Sequence, residues 1–261
     1  MALKNKKSLG QHWWRDRDAL EHIADCGYVS MGDTVVEGGP GLGTLTSVLL
    51  KRADRVVAVE FDPDLARKLP GQFPGKRLEV VSGDFLKYST RDLPVGYKVV
   101  ANVPYYIPSK IIKKCLTDQN RPSKVVLLVQ KEVAQRAVAL DGSMSILAVS
   151  VQLYSDASLG EVIESGLFTP PPKVDSQVLV LDLKQAELPD GVSEALFFRI
   201  VKAGFSAKRK KLRSSLSGGL NINRDTLEGA LESVGISGDD RAERLNIDDW
   251  KRLASALKEN L

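Results

Sequence analysis

Through the first two-thirds of the chain, short runs of β-branched and aliphatic residues alternate with segments whose apolar positions recur at helical spacing. Strands are predicted at Thr34–Glu37, Arg55–Glu60, Leu78–Ser82, Lys98–Asn102 and Lys124–Gln130, with helices beginning near Gly43, Pro63, Pro108 and Lys131. Repeated β-α units of this kind give a parallel sheet with helices on both faces. Asp62-Pro63 has the form of a helix start, Asp as N-cap and Pro at the first helical position. Two later apolar runs, Ala148–Tyr154 and Val174–Leu183, are separated by loop sequence rather than by a clear crossover helix. They are expected to pair antiparallel and close one edge of the sheet.

The pattern changes after Gln185-Ala186-Glu187-Leu188-Pro189-Asp190-Gly191, a polar, turn-rich linker. Beyond it, Leu196, Phe197, Ile200 and Val201 repeat at helical spacing, followed by Leu212 and Leu216. Leu227, Leu231 and Val234 mark another helix, and Trp250, Leu253 and Leu257 a last one. The expected organisation is a large α/β domain over residues 1–184 and a small all-helical domain over 185–261. A length of 261 residues accommodates both.

Composition adds little: 43% apolar and 27% charged residues are ordinary for a soluble globular chain. Charge adds more through its distribution than through its net value of +4. Lys4, Lys6, Lys7, Arg15 and Arg17 face a lone Asp16 near the N-terminus. Arg199, Lys202, Lys208, Arg209, Lys210, Lys211 and Arg213 form a second basic cluster, and the chain turns acid-rich from Asp225 onward. Two basic regions beside an acidic one look like a directed field for a polyanion; the plain alternative is a solvated helix face. Cys26 and Cys115 are too few for a disulfide framework and are expected as buried free thiols. The N-terminal residues lack an apolar stretch, and the longest aliphatic run, Val125–Val129, is too short to span a bilayer. A cytoplasmic location is therefore expected.

Candidate chemistry gathers at the ends of the predicted strands. Gly39, Gly41 and Gly43 form the first strand-to-helix loop, where glycine lets backbone approach a ligand. Thr44 stands where a dinucleotide fingerprint needs its third small residue. Glu60 ends the second strand, at about the distance from which an acid reaches ribose hydroxyls. Asp84 follows the third strand and could accept from an adenine amine. Glu37 could orient the loop or face an amine. Asn102-Val103-Pro104-Tyr105, ending the fourth strand, offers a side-chain carbonyl, a backbone carbonyl and an aromatic face to a flat substrate bearing an amino group. Together the two segments suggest methyl transfer from S-adenosylmethionine to the exocyclic amine of a base.

With these motifs the chain resembles the ribosomal RNA adenine dimethyltransferases that act on the small subunit. The resemblance runs from Lys7 to Arg241-Ala242-Glu243 and includes Phe168-Thr169-Pro170-Pro171-Pro172-Lys173-Val174-Asp175-Ser176. It implies a Rossmann-like class I methyltransferase sheet followed by the small helical domain. It further implies that Glu37, Gly39, Gly41, Gly43, Glu60, Asp84 and Asn102 contact S-adenosylmethionine. Asn102, Val103, Pro104, Tyr105 and Phe168 would hold a flipped adenine, Phe168 stacking on one face. His12 and Trp14 align with a segment that covers the cofactor's methionine end, although the family usually reads Asn, then Phe-Leu, there. Lys208, Arg209, Lys210, Lys211 and Arg213 align with a basic helix and are expected to bind RNA. Other departures are Gly38 for an aliphatic, Val103 for Leu, Tyr106 for Asn and Ser143-Met144 for Gly-Arg. Tyr106 is expected to alter pocket access. The implied partner is ribosomal RNA in the small subunit or its precursor, bound by a monomer without a metal.

Two other functions share much of this pattern. An erythromycin-resistance-type methyltransferase would use the same catalytic turn on large-subunit RNA; the Pro-Pro-Pro-Lys-Val-Asp-Ser run and the basic small domain favour the small-subunit enzyme. A ribosome-assembly or transcription factor would keep the fold for RNA binding alone, against which stand the intact Glu60, Asp84 and Asn102. A nicotinamide oxidoreductase is disfavoured by Thr44.

Overall fold

The structure is a computed structural model that describes residues 13–14 (backbone), 17–140, 142–207 and 209–261. His12 and Lys208 lie outside the described residues, as does the Trp14 side chain. Contacts divide the chain into two units, residues 1–135 with 155–184 and residues 136–154 with 185–261.

In the first unit, β1 (Trp13–Trp14) precedes α1 (Arg17–Cys26). The β-α alternation then runs β2 (Thr34–Gly38), α2 (Thr44–Arg52), β3 (Arg55–Glu60), α3 (Pro63–Lys68), β4 (Leu78–Ser82), β5 (Lys98–Asn102), α4 (Pro108–Thr117), β6 (Lys124–Gln130) and α5 (Lys131–Ala137). After α6 (Ile146–Tyr154) come β7 (Ser155–Ile163), β8 (Phe168–Thr169) and β9 (Ser176–Leu183). Seven strands form one sheet in the order β4-β3-β2-β5-β6-β9-β7, while β1 and β8 make a separate antiparallel pair. The first five strands are parallel, and β9 runs antiparallel to both β6 and β7.

Alternation along the strands fixes the two faces. Val35, Val56, Val100, Val126 and Val178 join Leu20 and Ile23 of α1 and Leu45 and Leu49 of α2 in one apolar cluster. The intervening Val36, Val57, Val99, Leu127 and Leu179 point to the opposite face and are equally buried. Burial on both faces explains why these strands read as continuous Val/Leu runs. Asp62 caps α3 as expected: its Oδ1 accepts from the Asp64 amide at 3.0 Å, with Pro63 in the first turn.

One element departs from the sequence reading. Ala148–Tyr154, expected as a strand, is helical within α6, and the edge strand that pairs with β9 is β7. A continuous apolar run carries no period that separates a buried helix from a buried strand. The local capping decides it, because Ser145 Oγ accepts from the Ala148 amide at 3.2 Å. The true strand, Ser-Asp-Ala-Ser-Leu-Gly-Glu-Val-Ile, is polar because it lies at the sheet edge, where half its side chains face water.

Every described element of the second unit is a helix. The unit combines α6 with α7 (Glu194–Gly204), α8 (Leu212–Leu220), α9 (Arg224–Ser233) and α10 (Ile247–Leu257). Trp250 and Phe197 are among its largest fully buried side chains. Asn246 and Asp249 form a reciprocal capping box at the start of α10. Cys115 is buried and Cys26 half-buried, both as free thiols. Among the described residues no helix is long and apolar enough to cross a membrane.

Candidate active site

From β2 the chain steps outward to β3 and β4, then returns to the other side of β2 as β5. The strand order therefore reverses between β2 and β5, and a crevice opens beyond their carboxyl ends, where sheets of this kind bind ligands. A cavity of about 370 Å³ lies there. Glu37, Glu60, Asp84 and Asn102 all line it, one from each of four neighbouring strands or the residues just after them. Gly39 and Gly41 line it too.

The glycine loop has the geometry that its residues permit. Gly39, Gly41 and Gly43 have φ of 71°, 58° and 78°, in the left-handed region that side chains disfavour. At Gly43 a side chain would also meet Leu69 at 2.8 Å and the Phe73 ring at 3.0 Å. Glu60 fastens the loop from the next strand. Its Oε2 accepts from the Gly41 amide at 2.9 Å and its Oε1 from the Asp62 amide at 2.8 Å. Burial pushes the Glu60 carboxyl up from the ordinary range, while the Asp62, Gly41 and Phe61 amides pull it down.

Glu37 shares the face of Val35, which α2 covers, and is only 1% exposed. Thr46 Oγ1, on the first turn of α2, donates to Glu37 Oε2 at 2.6 Å. Burial drives the Glu37 pKa up to about 8; the Thr46 bond opposes the shift and the nearby Glu60 charge adds to it. Asp84 Oδ1 caps a short helical turn by accepting from the Leu86 amide at 2.9 Å.

Asn102 ends β5 beside Leu128 of β6, and its side chain makes no hydrogen bond among the described residues. The Val103 amide donates to the Leu128 carbonyl at 3.3 Å, while the Val103 carbonyl accepts from no described residue. Two carbonyl acceptors thus stand ready next to the acid-lined crevice. Tyr105 is half-buried, with its hydroxyl 2.6 Å from Ser176 Oγ, and burial raises its pKa. Ser176 closes the Pro-rich run, so this bond ties the two sequence motifs together.

Phe168 is placed differently from the other residues assigned to the base. Its ring is 2% exposed, belongs to the apolar cluster with Leu20 and Ile23, and does not line the cavity. Its backbone pairs with Trp14 in the β1–β8 ribbon. The basic cluster, acid-free in sequence, acquires an acid in the fold: Asp239 lies 3.1 Å from Lys211 and 2.7 Å from Arg213. The Lys211 bond leads in holding the Asp239 carboxyl below its usual range. Arg209 and Lys210 are exposed and make no ion pair among the described residues. No group of three or more His, Cys, Asp or Glu side chains could hold a metal among those residues.

The sequence reading missed Thr46, Phe61, Phe85 and Ser176. Phe61 and Phe85 each follow a strand-end acid and line the cavity, an adjacency that could have flagged them. Thr46 and Ser176 meet their partners only through packing.

Residues 2–259 match the family model described as ribosomal RNA adenine dimethylase. The small-subunit ribosomal RNA methyltransferase A of Dehalococcoides mccartyi strain CBDB1 is 41% identical over 256 residues, covering 97% of this chain and 88% of that protein. A dimethyladenosine transferase from Plasmodium falciparum superposes with a TM-score of 0.82 at 25% identity, over 95% of this chain and 98% of that one. The 23S rRNA methyltransferase ErmE does so with a TM-score of 0.77 at 29% identity, over 94% and 99% of the two chains. The structural neighbours share the class I methyltransferase sheet, and the family match spans nearly the whole sequence. This chain belongs to the ribosomal RNA adenine dimethylase family.

Proposed function

We propose that the protein transfers methyl groups from S-adenosylmethionine to the exocyclic amines of adenosines in small-subunit ribosomal RNA, two to each amine. The observation that carries this reading is the pair of unoccupied acceptors, Asn102 Oδ1 and the Val103 carbonyl, bordering a crevice lined by Glu37, Glu60 and Asp84. The lining suits a cofactor that is positively charged and rich in hydrogen-bond donors. At Gly39 there is also room, since an added Cβ would have the Asn102 carbonyl as its nearest neighbour at 3.9 Å. Glu60 would hold the ribose hydroxyls, Asp84 the adenine amine, and Glu37 the methionine amine, with His12 and Trp14 over that end. When bound, S-adenosylmethionine supplies an electrophilic methyl group.

The target amine is a poor nucleophile because its lone pair is delocalised into the ring. Asn102 and Val103 accept both amine protons and draw the nitrogen toward tetrahedral geometry, localising the pair. Pro104 stiffens the turn, and Tyr105, anchored on Ser176, supports one face of the base. Phe168 is assigned the other face, a role its ring, buried in the apolar cluster, would fill only once exposed to the base. These groups act by positioning and electrostatics, and the methylated amine is acidic enough to lose its proton to water. Lys208, Arg209, Lys210, Lys211 and Arg213 would bind RNA phosphates. The protein would work as a monomer in the cytoplasm.

Labelled S-adenosylmethionine, supplied with separate small- and large-subunit particles from a strain lacking the modification, tests this. Dimethyladenosine in the small-subunit RNA is expected. Label confined to the large subunit would replace this reading with that of the ErmE-like relative, and no label would leave a binding factor.

A further inference from the structure

Tyr106 stands at the mouth of the cavity and has no part in the chemistry derived above. It is 61% exposed, lines the cavity, and makes no hydrogen bond among the described residues. Its mount is nevertheless fixed on both sides. Before it, the Tyr105 hydroxyl is held by the buried Ser176 Oγ. After it, the Ile107 amide donates to the Pro104 carbonyl at 3.3 Å, and the Ile107 carbonyl accepts from the Lys110 and Ile111 amides at 3.0 and 3.1 Å. A ring on such a mount loses little freedom when something stacks on it. Lys110, four residues along, also lines the cavity; it is exposed and has no carboxylate partner among the described residues.

We propose that Tyr106 and Lys110 form a subsite for the RNA nucleotide adjacent to the target adenosine, the ring stacking on its base and the ammonium contacting its phosphate. This rests on the RNA-methylating reading above. If one base enters the cavity beside the methyl donor, the next is tethered to it by a single phosphodiester and must remain at the mouth. An aromatic face with a nearby cation is the pairing that captures a nucleotide without reading its sequence.

The test is single-turnover transfer of labelled methyl to small-subunit particles, with particle concentration varied, for wild type, Tyr106→Ala, Tyr106→Trp and Lys110→Ala. Tyr106→Ala should raise the half-saturating particle concentration by roughly 5- to 150-fold, the range for one lost base stack. Tyr106→Trp should restore it. The rate at saturation and the calorimetric affinity for S-adenosylmethionine should stay at wild-type values, which also shows that the variants are folded. Lys110→Ala should reduce the salt slope of particle binding by about one. In particles reconstituted with an abasic nucleotide beside the target, wild type should fall to the level of Tyr106→Ala. An active wild type with an unchanged Tyr106→Ala, or a loss confined to the saturated rate, overturns the subsite alone. A wild type that transfers no methyl to RNA overturns the parent reading and the subsite with it.

Discussion

Glu37 shows how burial sets the titration of a single side chain. Its carboxyl is buried, bonded to Thr46, and titrates near pH 8 in the folded protein. An unfolded glutamate titrates near 4.5, so between these values the folded state holds a proton that the unfolded state has released. The resulting stability is full below pH 4.5 and is lost as pH rises through 8. Glu37→Gln mimics the protonated form and should abolish this dependence. Melts of the two proteins should nearly coincide at pH 5, with the variant ahead at pH 9 by on the order of a few kcal/mol. A difference that does not grow with pH would remove Glu37 from this account. At this scale the sequence was informative about acids, because Glu37, Glu60 and Asp84 each end or follow a strand. It was silent about partners: Thr46 meets Glu37, and Ser176 meets Tyr105 across 71 positions, only through tertiary packing.

Elements were legible where period and punctuation agreed. Arg55–Glu60, Leu78–Ser82, Lys98–Asn102 and Lys124–Gln130 are strands at the expected bounds, each a short β-branched run between turn residues. α6 was misread because Ile146–Tyr154 is apolar almost all round, and β7 was missed because an edge strand need not be apolar. Helix contacts were not legible either, and two adjacent glycines of α8 illustrate why. A Cβ on Gly219 would lie 2.7 Å from the Ala203 Cβ and 2.9 Å from its Cα in α7, where backbone cannot give way cheaply. A Cβ on Gly218 would meet nothing within 4 Å. Gly219→Ala should therefore destabilise the protein by about 1–3 kcal/mol. Gly218→Ala should stabilise it by about 0.5–1 kcal/mol through helix propensity. Denaturant titration of both variants checks the opposite signs; equal signs would mean that α7 and α8 do not pack this closely.

For the molecule as a whole, net charge is a poor guide and charge placement a better one. The basic run from Lys208 to Arg213 looked uniform in sequence, yet Asp239 pairs with Lys211 and Arg213 and leaves Arg209 and Lys210 without an acid partner among the described residues. Removing Arg209 and Lys210 together should lower the salt slope of RNA binding by about two, whereas Asp239→Ala should strengthen binding by releasing two cations. Filter binding across a salt series measures both; a slope unmoved by the double variant would make the cluster a solvated face. Phosphate contacts hold RNA without choosing the reacting atom, a role proposed here for the turn after β5. The central claim is therefore tested most directly by single-turnover methyl transfer to small-subunit particles, comparing wild type with Asn102→Ala. Wild type should form dimethyladenosine, and the variant should lose roughly 10²–10³-fold in rate, the scale for one preorganised electrostatic contact removed, with RNA affinity nearly unchanged. A wild type that transfers no methyl, or an Asn102→Ala variant at full rate, would contradict the account.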